Sequence, residues 1–248
     1  NSRIIELLIP KMDLLWKYKR LMRRQDKGYR LLFFLVSFLG LVPAGVYAYQ
    51  NPKYEIEARI DTLKHTISAK QKVTFTNNSD KPAEALYFHI YPHRKYTQKE
   101  KDFILRYAAY FKVNPFPEGF KSGDFILNSV SIQGKGLKHS IEGEDQTILR
   151  VDLEGPLGPG ESTEIDLDYQ VVIPHSYGRF GWHKNIISLL RWYPMLSVLD
   201  NQGWHNYPFY PYHQPYFSEA GDYSVKLTLP QDQVVIHSGI LKSEKLNN

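Results

Sequence analysis

The sequence predicts a mostly β protein preceded by a single transmembrane helix, and three observations carry that expectation. Residues 31–49 form an uncharged apolar run, basic residues crowd the segment before it, and alternating apolar and polar side chains follow it. The first two are the marks of a membrane span and its inner flank, and the third is the period of half-buried strands.

The run LLFFLVSFLGLVPAGVYAY has nineteen residues. As a helix rising about 1.5 Å per residue it is about 28 Å long, close to the hydrocarbon thickness of a bilayer. Gly40, Pro43 and Gly45 weaken helices in water but are tolerated in membrane helices. Residues 1–30 carry nine Lys/Arg against Glu6, Asp13 and Asp26, a net +6, while the whole chain is +5. Positive charge against one end of a span marks the cytoplasmic side, so the N-terminus is expected in the cytoplasm and the β domain outside it. The pI of 9.1 resides in this leader and is not a nucleic-acid signal. A cleaved signal peptide, with Val46-Tyr47-Ala48 as the small-residue site, is the competing reading. The thirty-residue leader and an apolar run longer than the usual 7–15 or so residues favour an anchor.

Within residues 2–24, Ile4, Leu8, Met12, Leu15, Tyr18 and Met22 recur near helical spacing, interrupted at Pro10. A basic amphipathic helix on the inner leaflet is one reading, and the end of a preceding cytoplasmic or membrane unit is the other. Three regions follow: a leader at 1–30, a span at 31–49 and a β domain at 50–248. The chain has no cysteine, which excludes disulfide staples and thiol chemistry. It begins without Met and ends on a polar stretch, and is expected to be a piece cut at both ends.

After Gln50-Asn51-Pro52-Lys53, strands are expected at 54–60, 65–76 and 85–91, the last ending at Pro92. Asn77 to Pro82 is a turn cluster whose Asn77-Asn78-Ser79 also matches a glycosylation sequon. Thr97 and Glu100 are spaced for a capping box, and Phe103, Tyr107 and Tyr110 share a face of the helix it opens, expected to pack on the sheet. Strands resume at 125–133, 147–153 and 163–173. Between the last two, Gly155 to Gly160 reads as a hairpin loop, since its prolines remove the amide donors a phosphate cradle needs. A final strand is expected at 221–229.

The chain lacks His-Glu-x-x-His, Gly-x-Ser-x-Gly and P-loop patterns, and no catalytic residue is expected in it. His89 and His93 have a zinc-ligand spacing, but on a strand broken by Pro92 they do not share a face. His175, His183, His205 and His213 lie near Asp200 without tight spacing. No metal site is expected from either group. Tyr207-Pro208-Phe209-Tyr210-Pro211-Tyr212 is too rich in Pro for a central strand and too aromatic for a solvated loop. It caps the core or lines a surface that another domain or ligand covers.

The order Arg191-Trp192-Tyr193-Pro194, Asp200, Gly203-Trp204, Pro215-Tyr216-Phe217-Ser218-Glu219, Gly221-Asp222-Tyr223 and Leu227-Thr228-Leu229-Pro230 resembles the M1 family of zinc aminopeptidases, above all its membrane-anchored bacterial members. Residues 54–61 and 86–92 fit the same family's opening strands. The resemblance covers about residues 54–240, the family's N-terminal β domain. It implies a saddle-like, mostly antiparallel β-sandwich ahead of a catalytic domain that holds zinc through His-Glu-x-x-His and a later Glu. None of those positions is in this chain, so zinc belongs to the missing domain. His213-Gln214 stand where the resemblance implies Gly and an acidic residue.

Two functions follow from the resemblance. One is the substrate-covering domain of an exported, membrane-tethered zinc aminopeptidase, with the membrane, a peptide substrate and the downstream catalytic domain as partners. The other is a non-enzymatic anchored β-sandwich that binds or scaffolds, with the span as the last helix of a transporter subunit in a variant of either. Asn185 is the one substrate-binding candidate, standing for the family's residue that helps hold a peptide's amino terminus. Its plain alternative is a turn residue before Ile186-Ile187.

Overall fold

The computed structural model describes residues 2–9, 49–209 and 217–247. Sixteen strands and one helix are present among them: β1 (Ser2–Ile9), β2 (Lys53–Asp61), β3 (Thr66–Thr76), β4 (Ala83–His89), α1 (Gln98–Tyr110), β5 (Asp124–Ile132), β6 (Lys135–Gly136), β7 (His139–Glu142), β8 (Ile148–Leu157), β9 (Ser162–Val172), β10 (Phe180–His183), β11 (Ile186–Leu189), β12 (Met195–Leu196), β13 (Leu199–Asp200), β14 (Gly203–Trp204), β15 (Asp222–Pro230) and β16 (Ile240–Asn247). An eight-stranded sheet runs in the order β16-β1-β15-β2-β3-β9-β5-β6, and a four-stranded sheet in the order β12-β4-β8-β7. Pairing is antiparallel except between β15 and β2, which run parallel. The protein is therefore mostly β with one helical excursion, as expected.

The two sheets face each other across one core. Tyr54, Ile56 and Ala58 of β2 and Ile67, Ala69, Val73 and Phe75 of β3 point inward at every second position. Leu86 and Phe88 of β4 and Leu149 and Val151 of β8 meet them from the smaller sheet. This is the period-two alternation visible in the sequence, which buries one face of each strand. Gln71 breaks the apolar run of β3 yet is buried. Its amide donates to the Pro194 carbonyl at 2.8 Å and accepts the Tyr169 hydroxyl at 3.0 Å. Tyr54 adds a second tie, its hydroxyl accepting the Leu196 amide at 3.2 Å. Together they strap residues 192–196 across the sheet.

Four expectations need correction. Ser2–Ile9 is a strand, not part of a helix: it pairs with β15 on one side and β16 on the other, and buries Ile5 and Leu7 against Leu229. Its apolar residues satisfy either period, and a waiting pair of strand edges decides for the strand. Helix α1 buries Ile104 and Ala108, whereas Phe103 and Tyr110 are exposed. Its first turn is as read, with the Thr97–Glu100 capping box formed in both directions. The connection after β8 is not a hairpin, because β8 pairs with β4 and β7 while β9 pairs with β3 and β5. The polar end carries β16, which β1 holds in place. The proposed span falls on residues 31–49, of which 31–48 lie outside the described residues. Among those described, no helix is long and apolar enough to cross a membrane.

Asn77 resolves the sequon. It is fully buried, donating to the carbonyls of Lys81 and Leu157 at 2.8 and 2.9 Å and accepting from the amide and hydroxyl of Ser79 at 3.0 and 2.7 Å. All four hydrogen-bonding positions of the side-chain amide are used, so it is a turn residue and not a sugar acceptor. Asn77→Ala should lower stability by roughly 2–4 kcal/mol, since it strands several buried backbone groups. Urea denaturation checks this, and Asn78→Ala, at a half-buried position bonded to the Gln50 backbone, should cost less.

Candidate functional site

The strap 192–196 borders a groove on the core-facing side of the larger sheet. Its volume is about 850 Å³, and its lining includes Asn185, Arg191, Tyr193, Glu219, Tyr223 and His237. Asn185 comes from the β10–β11 hairpin, whose two-residue turn is Lys184-Asn185, with Lys184 in the left-handed region at φ 53°. Asn185 thus occupies the turn that its plain reading assigned, and it lines the groove as well.

A tyrosine cluster forms the floor. Tyr54 and Tyr223 stack at 4.6 Å on adjacent strands in register, and Tyr193 meets both edge-on at 6.0 and 5.8 Å. Burial, reinforced by neighbouring tyrosines, pushes the phenols of Tyr54 and Tyr193 far up, so both stay neutral donors and acceptors. Glu219 lies on the same wall. Burial raises its pKa against the opposing hydrogen bond from Tyr49. Sequence reading had placed Glu219 in a family motif without giving it a role. That it lines one groove with Asn185 depends on a hairpin and a strand entry that share no local pattern. The rim is apolar and open: Ile186, Val234 and Ile236 are exposed.

The aromatic segment divides. Trp204 packs inward on Phe75 and Tyr87 at 5.6 and 5.5 Å, and Phe209 packs on Tyr91 at 5.1 Å. The Phe209 backbone amide donates to Asp145 at 2.7 Å. Tyr207 and Phe217 remain half-exposed around His205. That imidazole bridges Asp200 at 2.7 Å and the Tyr207 hydroxyl at 3.0 Å. The turn amide of Gln202, then His205, hold the Asp200 carboxyl below its usual range. Tyr210, Tyr212, His213 and Tyr216 lie outside the described residues.

The histidines fall into separate settings. His89 is buried against Tyr91 at 5.1 Å, while His93 turns to Asp124 at 2.8 Å. His65 and His175 stack on Trp182 at 3.8 and 4.0 Å, and His175 lies 6.1 Å from His183. Among the described residues no three His, Cys, Asp or Glu side chains are grouped to hold a metal ion.

No family profile matches the chain, and no curated protein matches it. Solved structures it is similar to include M1 zinc metallopeptidases, among them the enzyme from Deinococcus radiodurans. One is 13% identical over 82% of this chain, with a TM-score of 0.44. A mutant bound to L-arginine has 13% identity over 82% and a TM-score of 0.45, and one bound to a tripeptide substrate has 14% over 80% and 0.44. The chain spans 38% of the first two and 37% of the third.

His89 gives the site an acid limit. Burial first, then repulsion from Arg191, lower its pKa from 6.5 to about 4. The folded state thus holds His89 neutral while the unfolded chain takes up a proton. Its contribution is intact above about pH 6.5 and is lost as pH falls toward 4, by roughly 2 kcal/mol at pH 5. Urea titrations at pH 7 and pH 5 should show that loss, and His89→Gln should flatten it.

Proposed function

We propose that this chain is the substrate-covering N-terminal β domain of an exported, membrane-tethered zinc aminopeptidase, with zinc and the catalytic residues on a downstream domain outside it. The observation that carries this reading is the groove that brings Asn185 and Glu219 together beneath an open apolar rim. The ordered motifs at 191–194, 203–204, 215–219 and 221–230 support it. Burial works against the Glu219 carboxylate and a neighbouring cation would offset that, so Glu219 suits the free ammonium of a peptide's amino terminus. Asn185 offers that group, or the first peptide unit, a neutral hydrogen-bond partner. Exposed Ile186, Val234 and Ile236 supply the apolar contact for a covering catalytic domain.

A His-Glu-x-x-His motif downstream in the reading frame would supply the zinc ligands, and without one the non-enzymatic binding module is the better reading. In the protein joined to its catalytic domain, Asn185→Ala and Glu219→Gln should each raise KM for peptides by roughly threefold to tenfold. Their kcat should change little, as for a lost ground-state contact. Steady-state kinetics with free and N-acetylated peptides decide it, because unchanged KM in both variants removes the groove from substrate binding.

Tethering through 31–49 has a topological consequence. Pairing of β1 with β15 places Ser2–Ile9 and the β domain on one side of any membrane, whereas a single crossing puts them on opposite sides. The chain has no cysteine, so Ser2→Cys and Asp232→Cys can be labelled cleanly in intact cells. Labelling of both from outside keeps the eight-stranded sheet and excludes the cytoplasmic N-terminus. Labelling of Asp232→Cys alone keeps the charge-based orientation and excludes the β1 pairing in the cell.

A further inference from the structure

Helix α1 turns an aromatic ridge away from the protein. Ile104 and Ala108 are its buried residues, and the positions on the opposite side, at three- and four-residue spacing, are Lys99, Phe103, Arg106 and Tyr110. Phe103 is 51% exposed and Tyr110 85%, and Phe111 at the C-cap is 55% exposed. Phe111 meets Tyr110 edge to face at 5.1 Å and Tyr107 at 5.5 Å, so the rings lean on one another at the end of the helix. A lone exposed ring needs no partner, but a row of them along one ridge is a contact surface.

Cations alternate with these rings. Over residues 98–121 the exposed charges are Lys99, Arg106, Lys112 and Lys121 against Asp102 and Glu118. Asp102 accepts the side-chain amide of Gln98 at 2.9 Å. The other acids near the helix are engaged: Glu100 holds Arg94 at 2.7 Å, and Asp124 holds Lys95 at 2.9 Å. Lys99, Arg106 and Lys112 hold no acid among the described residues. The ridge therefore presents open positive charge between aromatic rings, which complements an anionic surface.

Its size decides which anionic surface. A thirteen-residue helix is about 20 Å long and about 10 Å wide, so its outward face offers on the order of 200 Å². A stable protein partner or a second copy covers roughly 800 Å² on each side. A bilayer makes no such demand, because rings settle at headgroup level while each cation meets lipid phosphate.

We propose that the outward ridge of α1 docks on an anionic phospholipid surface. Phe103, Tyr110 and Phe111 lie at headgroup depth, and Lys99, Arg106 and Lys112 meet the phosphates. The contact is shallow, since rings and charges are mixed along the ridge instead of separated onto two faces. It fixes which side of the β domain looks toward the bilayer, and it uses only α1 and its C-cap, independent of any crossing at 31–49.

The chain has no cysteine, so Ala109→Cys, exposed beside the ridge, can carry a polarity-sensitive fluorophore and leave the ridge residues in place. Asp232→Cys, exposed after β15, carries the same dye as the control. The full chain is combined with vesicles of phosphatidylcholine alone or mixed equally with phosphatidylglycerol. With the anionic vesicles, emission from position 109 should shift to the blue and be quenched by brominated lipid, while emission from position 232 stays as in water. Neutral vesicles or high salt should reduce the response at position 109 by roughly tenfold. Lys99→Gln with Arg106→Gln should raise the anionic lipid needed by roughly tenfold, and Phe103→Ser with Tyr110→Ser should abolish the response, both at an unchanged thermal midpoint. No shift at position 109, an equal shift at position 232, equal response to neutral and anionic vesicles, or insensitivity to either double variant overturns the proposal. So does a blue shift that grows with protein concentration in the absence of lipid, which makes a second copy the occupant.

Discussion

One buried amide ties the strap to the larger sheet. Gln71 stands at an inward position of β3 where the flanking alternate residues are Ala69 and Val73. An amide there is tolerated only because both its ends are used, one by the Pro194 carbonyl and the other by the Tyr169 hydroxyl. Replacing its partners with nothing would leave a desolvated donor or acceptor in the core, so strap and sheet hold each other in register. The Tyr54 hydroxyl, taking the Leu196 amide, repeats the device two residues along the strap.

The strap also explains why two cavities of different character lie close together. Leu190 and Arg191, just before it, line both the groove and a smaller cavity that Arg179 and Phe116 also line. Arg191 holds a left-handed conformation at φ 55°, which turns the chain from the hairpin into the strap. On one side of this turn the lining offers Asn185, Glu219 and phenols kept neutral by burial. On the other it offers guanidinium groups among aromatic rings.

Helix α1 shows how one residue can serve both local and distant order. Glu100 closes the capping box with Thr97 and also takes the Arg94 guanidinium. The cap is a short-range matter of three residues' spacing. The ion pair fixes Arg94 within its aromatic sandwich, which brings together Tyr96 from the same loop and Phe209 from far along the chain.

What the sequence determined by itself was whatever depends on neighbours in the chain. The alternation along β2, β3 and β9, the capping box at Thr97, the turn at Asn77 and the split of the aromatic segment from ordinary loop are all readable, because period, cap and turn chemistry act over a few residues. Tertiary structure alone decided the rest. Ser2–Ile9 became a strand because two edges more than two hundred residues away supply its hydrogen bonds. Strand β8 left β9 for the other sheet because its partners are β4 and β7, and α1 turned Ile104 and Ala108 inward while Phe103 faces out. The placing of Asn185 and Glu219 on one groove, and the burial of Arg94, exist only once hairpin, strap and sheet are assembled. They are contacts between segments with no periodic relation, and the energy that selects them is the burial and hydrogen bonding of the whole core.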